Sequence, residues 1–351
     1  MRRFGWLLVW LFLLGLAACD VDQDDPYRDQ EGVEIDFPSL DPNRYHWDGF
    51  SNPYYEGWFF RVLAAPDTTF AFIYGVQNPG VPDADSSSSY VVVARNGEPA
   101  ATTLYPVDAF DASRQRLAVR VGDNVATADG LAGSLTDDGE DIRWNLRFTI
   151  EDYWAETMGL LTNIPGLPVN WYVGMLRGRA DGEIIWKGES FAVEGAPIYS
   201  DKNWGTVFPT SYIWIQAGGT SPEQDALAFA GGDIGVMAGM FIWRGAGRNY
   251  EMRSQDLNTL VDIWAAADQG RVRIDLRQGD TRLVLDGAFG DDEPVLLPAP
   301  TDEGYAPYTR MALLGELQIE VYARTGWDYR LLETVRPDQA AVEIGGAYWG
   351  E

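Results

Sequence analysis

The stretch "IRWNLRFTI", residues 142–150, decides the fold class because apolar and polar side chains alternate along its whole length. The apolar side chains, which an extended backbone places on one face, are Ile142, Trp144, Leu146, Phe148 and Ile150. A period of two residues is typical of a β-strand that buries one face and leaves the other in water. The stretch therefore predicts a half-buried β-strand.

The same period extends over most of the chain. Further predicted strands, separated by Gly, Asp, Asn and Pro turn signals, are "TFAFIYGVQ" (69–77), "SYVVVARNG" (89–97), "EIIWKGESFAV" (183–193), "SYIWIQAGG" (211–219), "GMFIWRG" (239–245), "RVRIDLR" (271–277), "RLVLDG" (282–287) and "LQIEVYAR" (317–324). Only residues 153–161 and 309–314 suggest short helices. Many short strands between turns indicate antiparallel barrels or sandwiches, so we predict an all-β protein.

The length of the chain predicts two β-rich halves. Roughly 310 residues follow the N-terminal segment described below, which exceeds the usual size of one hydrophobic core. A break at Gly195–Ser200 divides them into an N-terminal β domain, residues 41–195, and a C-terminal β domain, residues 196–351.

The N-terminal segment "MRRFGWLLVWLFLLGLAAC" (1–19) combines two arginines, an apolar run too short for a membrane span, and small residues. We interpret residues 1–18 as a signal peptide. Because "LAAC" resembles a bacterial lipobox, we expect lipidation of Cys19 and an acidic tether over residues 19–40. The expected location is the periplasmic face of the bacterial cell envelope, held by the lipid anchor, and Asp20 favours the inner membrane.

Composition argues against several classes of function. The formal net charge of −27 repels nucleic acid and anionic headgroups, so we expect no nucleic-acid partner and membrane contact through the anchor. One cysteine cannot form an internal disulfide, and one histidine, His46, cannot build a multi-histidine metal site. Oxygen-ligand calcium sites stay open in so acidic a chain, but the sequence has no EF-hand spacing and no GxGxxG or Walker A motif, so we expect neither a metal nor a cofactor. The oligomeric state stays open.

The stretch "YHWDGFSNPYYEGWFFRV" (45–62) holds the first candidate site. In an extended strand Glu56 shares a face with Tyr54 and Trp58. A carboxyl group among aromatic side chains has a raised pKa when it is buried, which suits a general acid at neutral pH. His46 is a second candidate, with a purely structural role as the alternative.

The stretch "YSDKNWG" (199–205) places an acid, a base, an amide and an indole at four consecutive positions. An extended backbone turns Asp201 and Asn203 to one side and Lys202 and Trp204 to the other, which leaves Asp201 and Lys202 only loosely coupled. The alternative is an Asx-type turn at the start of a strand.

Two later positions are ambiguous. Gln216 shares a strand face with Tyr212 and Trp214, as a partner for a phenol or as a polar residue at a barrel mouth. Glu343, in "AAVEIGGAYWG" (340–350), either faces solvent or is paired inside the protein. Its small neighbours on the same face, Ala341 and Gly345, favour the solvent-facing arrangement.

Several of these stretches together resemble the motifs of the tocopherol cyclase family, in order and at comparable spacing, across most of residues 43–350. They are "YHWDG" (45–49), "YYEGWFFRV" (54–62), "YSDKNWG" (199–205), "FPTSYIWIQ" (208–216) and "AAVEIGGAYWG" (340–350). The resemblance implies two lipocalin-like antiparallel β-barrel or sandwich halves. It also implies a cofactor-independent reaction on a prenyl lipid, in which an alkene is protonated and a neighbouring phenol oxygen captures the carbocation.

The resemblance also implies roles for individual residues. The family motif usually has glutamate where Asp201 stands, and the shorter acid reaches less far, so Glu56 is the first candidate acid and Asp201 the second. His46 completes the catalytic set. The candidate substrate-binding residues are Tyr54, Trp58, Asn203, Trp204, Trp214 and Gln216. We predict that the strands containing Glu56 and Asp201 approach each other across the domain junction and line one apolar cavity.

Two functions remain open. The first is a cyclase or hydratase of a prenylated quinol or isoprenoid. The second is a lipid-anchored, lipocalin-like carrier of a hydrophobic ligand without catalysis. An aromatic content of 13%, with 14 tryptophans, suits either function, because tryptophan and tyrosine offer an apolar wall with a hydrogen-bonding tip.

Overall fold

The structure, a computed structural model, describes residues 41–81, 87–163, 167–219, 225–301 and 304–346. The predicted signal peptide, the lipidation site Cys19 and the whole tether (19–40) lie outside these residues. The described chain is almost entirely β-strand, with short 3-10 turns at Val107–Ala109, Gly159–Asn163 and Ala267–Gln269. Among these residues, no helix has the length and apolar character that a membrane span requires.

The first sheet contains eleven antiparallel strands. They are β1 (Tyr55–Ala65), β2 (Thr68–Gln77), β3 (Ser88–Arg95), β4 (Ala101–Tyr105), β5 (Phe110–Ala112), β6 (Ala118–Val121), β7 (Asn124–Thr127), β8 (Gly130–Asp137), β9 (Glu140–Trp154), β10 (Val169–Trp186) and β11 (Glu189–Gly205). Their order is β4-β3-β2-β1-β11-β10-β9-β8-β7-β6-β5, so the long strand β11 returns to pair with β1.

The second sheet contains the remaining strands, which are β12 (Ser211–Gly218), β13 (Ala226–Asp233), β14 (Met237–Gly245), β15 (Arg248–Arg253), β16 (Thr259–Ala266), β17 (Arg271–Gln278), β18 (Thr281–Ala288), β19 (Val295–Thr301), β20 (Gly304–Thr325), β21 (Asp328–Val335) and β22 (Ala340–Gly346). Its main order is β15-β14-β13-β12-β22-β20-β18-β17-β16, and β19 and β21 pair with β20. Each sheet is a nearly closed antiparallel barrel, which confirms the predicted all-β, lipocalin-like class.

The stretch 142–150 forms the middle of β9. Ile142, Trp144, Leu146 and Phe148 are buried in the core of the first barrel, as the alternation predicts. Ile150 is instead 44% exposed. The register between β9 and β10 shifts beside it, between Arg177 and Gly178, and such an irregularity changes which residues face the core.

Two local predictions were wrong. The division between residues 195 and 196 falls inside β11, which belongs entirely to the first sheet, and the chain changes sheets between Gly205 and Ser211. Residues 309–314 lie within β20 rather than in a helix. Residues 153–161 contain the end of β9 and the start of a 3-10 turn.

A third apolar core lies between the two sheets, and we call this layer the junction. Trp171 and Tyr199 enter it from the first sheet, and Trp214 and Met311 enter it from the second. Strand β12 shows how one strand serves two cores, because Ile213 and Ile215 pack inside the second barrel while Trp214 points into the junction.

Candidate functional site

Strands β1 and β11 bring the two sequence motifs together as direct neighbours. Phe59 lies opposite Asp201, and Glu56 lies opposite Trp204. The motifs thus meet by pairing within the first sheet, and not by approaching across the junction as predicted. Because side chains alternate along each strand, the paired motifs present two faces, one toward the interior of the first barrel and one toward the junction.

On the barrel-interior face, Glu56 is fully buried, and its carboxylate is surrounded by hydrogen-bond donors. It forms an ion pair with the Lys202 ammonium, and the Tyr54 hydroxyl donates to its Oε2 atom. The backbone N–H of His46 donates to both carboxylate oxygens, at 3.0 and 2.9 Å. Burial acts to raise the pKa of Glu56, but Lys202 and His46 outweigh burial and lower it. The expectation of a protonated general acid at Glu56 was therefore wrong.

The remaining side chains of this face enclose the ion pair, and we call the group the Glu56–Lys202 cluster. The His46 ring stacks on Trp204 with 4.0 Å between ring centroids. The Lys202 ammonium lies over both Trp58 and Trp204, at 4.7 and 4.8 Å from their ring centroids. Burial lowers the pKa of Lys202 to about 8, against the opposing effect of Glu56. His46, Trp58 and Trp204 consequently stabilise a buried ion pair and do not line the cavity described next.

On the junction face, a largely apolar cavity of about 200 Å³ lies between the two sheets. Its walls include Phe59, Tyr90, Trp171, Trp214, Leu297 and Tyr305. Three of the predicted site residues, Asp201, Asn203 and Trp214, line it. The prediction that Asp201 and Asn203 share one face, with Lys202 and Trp204 on the other, agrees with this arrangement.

Asp201 is the buried carboxyl group on the first-sheet side of this cavity. Its Oδ2 atom accepts hydrogen bonds from Trp171 Nε1 at 3.0 Å, Trp214 Nε1 at 2.7 Å and the Tyr199 hydroxyl at 3.0 Å. No donor among the described residues reaches Oδ1. Burial, opposed by the three donors, raises the pKa of Asp201 to about 6. Asp201 can therefore carry a proton near neutral pH, and Oδ1 is the oxygen left to hold it.

Glu343 is a second buried carboxyl group that lines the cavity, from β22. It accepts a hydrogen bond from the Tyr212 hydroxyl. Burial raises its pKa to about 7, and the charge of Asp201 contributes in the same direction. The expectation that Glu343 faces solvent was wrong, because the small residues on its strand face allow other side chains to pack closely over that face. A Cβ on Gly345 would lie only 2.1 Å from the Tyr212 ring, which covers that position.

Gln216 has a different partner from the predicted phenol. Its Oε1 atom accepts a hydrogen bond of 2.5 Å from Arg61 Nη1. Arg61 extends from β1 across the junction and also donates to the main-chain oxygens of Leu313 and Gln339. Gln216 thus helps to hold the two sheets together.

An outer trough of about 640 Å³ lies beside the cavity and shares Tyr55, Phe208 and Pro300 with it. Tyr54 lies in the wall of this trough, although its hydroxyl belongs to the Glu56–Lys202 cluster. The Tyr55 hydroxyl is buried without a hydrogen-bond partner among the described residues. It is therefore a polar group that a ligand could satisfy.

The arrangement offers two titratable carboxyl groups in an apolar chamber. Across the described parts of the chain, no group of three or more His, Cys, Asp or Glu side chains is arranged to hold a metal ion. Two buried carboxyls with pKa values of about 6 and about 7 can donate and accept protons at neutral pH. Sequence reasoning found Asp201 but not Glu343. The sequence feature that relates to the burial of Glu343 is Gly345, two residues further along the same strand face. Gly345 lies opposite Tyr212 in the pairing of β12 with β22, and its missing side chain leaves room for the Tyr212 ring.

Comparison with known proteins gives a consistent family match. The sequence model of the family described as tocopherol cyclase-like matches residues 124–346. The chloroplastic tocopherol cyclase of Zea mays is 25% identical, with 87% of this chain and 77% of that protein aligned. A protein of Oryza sativa subsp. japonica assigned the same activity is 26% identical, with 87% of this chain and 78% of that protein aligned.

Solved structures share the fold. A protein assigned as AttH from Nitrosomonas europaea superposes with a TM-score of 0.52 at 13% identity, covering 90% of this chain and 98% of that one. The structure of CghA gives a TM-score of 0.53 at 12% identity, covering 85% of this chain and 90% of that one. At these identities the likeness supports the two-barrel fold alone.

Proposed function

The chain belongs to the tocopherol cyclase-like family, and we propose that it cyclises a prenylated quinol, or hydrates a related isoprenoid, by protonating an alkene. The observation that carries this proposal is the position of Asp201, a buried carboxyl whose Oδ2 atom is held by three donors while Oδ1 is left to carry a proton beside an apolar cavity.

In the first step the Asp201 Oδ1 proton passes to the less substituted carbon of the alkene, whose π electrons form the new C–H bond. The other alkene carbon becomes a tertiary carbocation. The two indole N–H groups and the Tyr199 hydroxyl stabilise the carboxylate that remains. Aromatic faces near the cation stabilise it by roughly 0.5–2 kcal/mol each, and the apolar walls keep water away from it.

In the second step the phenol oxygen forms a bond to the cationic carbon and loses its proton. Glu343, the other carboxyl of the cavity, accepts that proton when it is ionised. Asn203 lines the same wall beside Gly57, and in this mechanism its amide orients the phenol through a hydrogen bond. Return of the proton from Glu343 to Asp201 resets the site. The product is an isomer of the substrate, so no cofactor is consumed. Water in place of the phenol gives hydration.

Replacing Asp201 by Asn tests the proposal, because the amide keeps the shape but cannot donate an acidic proton. We expect chromanol formation from a prenylated quinol to fall by roughly 10²–10⁴-fold, as is usual for loss of a general acid. Ligand binding, followed by quenching of tryptophan fluorescence, should change only a few-fold.

Two outcomes would separate the alternatives. If Asp201→Asn retains the full rate, the proton comes from another group and the mechanism is wrong. If the wild-type chain binds prenylated quinols tightly but yields neither a cyclised nor a hydrated product, the carrier function is the better description.

A further inference from the structure

Four connections between strands meet around the cavity. The connections β9–β10, β11–β12, β13–β14 and β15–β16 each supply a lining residue, and these are Leu161, Phe208, Ile234 and Gln255. Side chains tie neighbouring connections together, because Gln255 Nε2 donates to the Met158 oxygen at 2.8 Å. The described stretches 155–163, 205–210, 234–238 and 254–258, which contain these lining residues, lie at one end of the paired barrels, and we call them the cavity rim.

Each connection of the rim also exposes an aliphatic side chain within two residues of its lining residue. The exposed side chains, with their exposed fractions, are Leu160 (85%), Val207 (52%), Val236 (65%) and Leu257 (91%). Single exposed apolar residues are common on proteins, but four of them around one cavity indicate an interaction site.

The rim is also poor in charge. Residues 155–163, 205–210, 234–238 and 254–258 contain two acidic residues and no basic residue, although 23% of the whole chain is charged. One of the two acids, Asp256, is paired with Arg253. A charge-poor surface with protruding aliphatic side chains loses little on entering an apolar phase.

We propose that the cavity rim inserts its four aliphatic side chains into a lipid bilayer, so that a membrane-dissolved ligand enters the cavity without crossing water. This inference deepens the proposed function, because a prenylated substrate resides in the bilayer. Burial of a leucine or valine side chain in hydrocarbon is favourable by roughly 1.5–3 kcal/mol. The four side chains together therefore hold the cavity rim in the bilayer reversibly.

A bilayer fits this surface better than a second copy of the chain does. The four exposed aliphatic side chains come from four separate connections. A fluid bilayer accommodates such a set without the shape complementarity that a protein partner requires. A partner copy docked on the rim would also close the opening through which ligand must pass. The four stretches contain no basic residue, and the adjacent Arg253 is buried and paired with Asp256, so we expect contact with zwitterionic lipid and no preference for anionic lipid.

Site-directed nitroxide labelling tests the insertion without requiring activity. The full chain carries a label at Leu160→Cys, Val236→Cys or Leu257→Cys, and the labelled wild type corrects for any signal from Cys19. With phosphatidylcholine vesicles, collisions with oxygen should rise and collisions with a water-soluble nickel complex should fall several-fold at all three positions. The control is Trp327→Cys, because Trp327 is 94% exposed in the β20–β21 turn, at the end of β20 opposite the cavity.

The control position also separates insertion from simple tethering, because an N-terminal anchor would bring the whole chain near the vesicle. Unchanged nickel accessibility at the three rim positions would overturn the proposal. Broadening of the rim spectra by spin–spin contact in the absence of vesicles would show that a second copy covers the rim, and would overturn it as well.

A kinetic measurement links the rim to the proposed reaction. The double variant Leu160→Ser with Leu257→Ser should slow turnover of a vesicle-embedded prenylated quinol by about tenfold or more, given the lost apolar contacts. Turnover of the same quinol in detergent should stay unchanged, and Trp327→Ser should leave both rates unchanged. Equal slowing in vesicles and detergent would contradict the proposal. If the wild type lacks turnover, the proposed reaction fails while the labelling result still decides the insertion.

Discussion

Asp201 and Lys202 are consecutive residues of β11, yet their side chains lie in different environments. The Asp201 carboxyl meets only neutral donors in the junction, so burial raises its pKa. The Lys202 ammonium meets Glu56 inside the first barrel, and the ion pair keeps that carboxyl ionised. The two faces of β11 thus have different roles. Asp201 on one face can exchange protons, and Lys202 on the other forms the ion pair with Glu56 inside the first barrel.

The two cavity carboxyls predict a bell-shaped pH dependence of turnover. The mechanism needs the proton on Asp201 and an ionised Glu343, which is the minor of the two singly protonated forms because the pKa of Glu343 is the higher one. Below pH about 6 both Asp201 and Glu343 are protonated and no base remains, whereas above pH about 7 both are ionised and no acid remains. We expect the maximum rate between these values, measured as kcat on a detergent-dissolved quinol. In Glu343→Gln the rate should be lower at every pH, because the base is missing, and the acidic limb of the remaining activity should disappear. A flat profile from pH 5 to 8 would contradict the assignment.

For Glu56 we expect substitution to change the stability of the protein and not the rate of the reaction. Glu56→Gln leaves the Lys202 ammonium buried without a counter-charge, which should lower the free energy of unfolding by about 3–5 kcal/mol. Denaturant titration measures this change, and turnover per folded molecule should persist.

The matched control for Glu56→Gln is the double variant Glu56→Gln with Lys202→Met. Because it removes both charges, it should recover part of the lost stability. If Glu56→Gln abolishes turnover while the protein remains folded, Glu56 takes part in the reaction after all.

At the scale of strands, glycines decide which aromatic rings can lie against the sheet. A Cβ on Gly75 of β2 would lie 2.3 Å from the Tyr90 ring. That ring forms part of the cavity wall and stacks on Tyr305 with 3.9 Å between centroids. The absence of a side chain on β2 therefore sets the position of an aromatic wall contributed by β3.

We expect Gly75→Ala to displace the Tyr90 ring, to lower the free energy of unfolding by about 1–3 kcal/mol through overpacking, and to weaken ligand binding by about tenfold, which corresponds to about 1.4 kcal/mol of lost contact with the cavity wall. The comparison variant is Gly57→Ala, which adds a methyl group to the same cavity wall but displaces no ring, because its Cβ would meet Asn203 at an ordinary distance of 3.5 Å. Ligand affinity of both variants, measured by fluorescence quenching, checks the difference. Equal affinity in Gly75→Ala and the wild type would show that Tyr90 does not shape the cavity.

At the scale of the whole molecule, Arg61 joins the two barrels through the junction. It is buried, it donates only to neutral acceptors, and burial lowers its pKa to about 9. Its Nε atom has no hydrogen-bond partner among the described residues. A buried cation without a nearby carboxylate is unusual, and here its three acceptors all belong to the second half of the chain.

We expect Arg61→Met to lower the free energy of unfolding by about 3 kcal/mol or more, because three buried acceptors lose a charged donor. The control is Arg273→Met, which removes an exposed ion pair with Asp286 and should change stability by less than about 1 kcal/mol. Guanidinium titration of both variants gives the comparison. Similar small changes in the two variants would mean that Arg61 contributes little to the joining of the barrels.

The candidate site could be predicted only in part. Alternation within "YSDKNWG" correctly separates Asp201 and Asn203 from Lys202 and Trp204, because an extended backbone fixes that relation locally. Alternation does not say which face meets a cavity, so Trp58 and Trp204 were assigned to ligand binding although they enclose the Lys202 ammonium. Nothing local distinguishes a face that lines a cavity from a face that fills a core.

The sequence by itself determined that most of the chain forms β-strands, that the fold is all-β, and that Asp201 and Asn203 share one strand face, because periodicity and turn residues act over short distances along the chain. Only the tertiary structure decided the charge state of each carboxyl. Glu56 is ionised because β11 brings Lys202 beside it, and Glu343 is buried because the Tyr212 ring packs over Gly345. A pKa depends on partners that are distant in sequence and on the water that folding removes, so alternation along a single strand could not provide it.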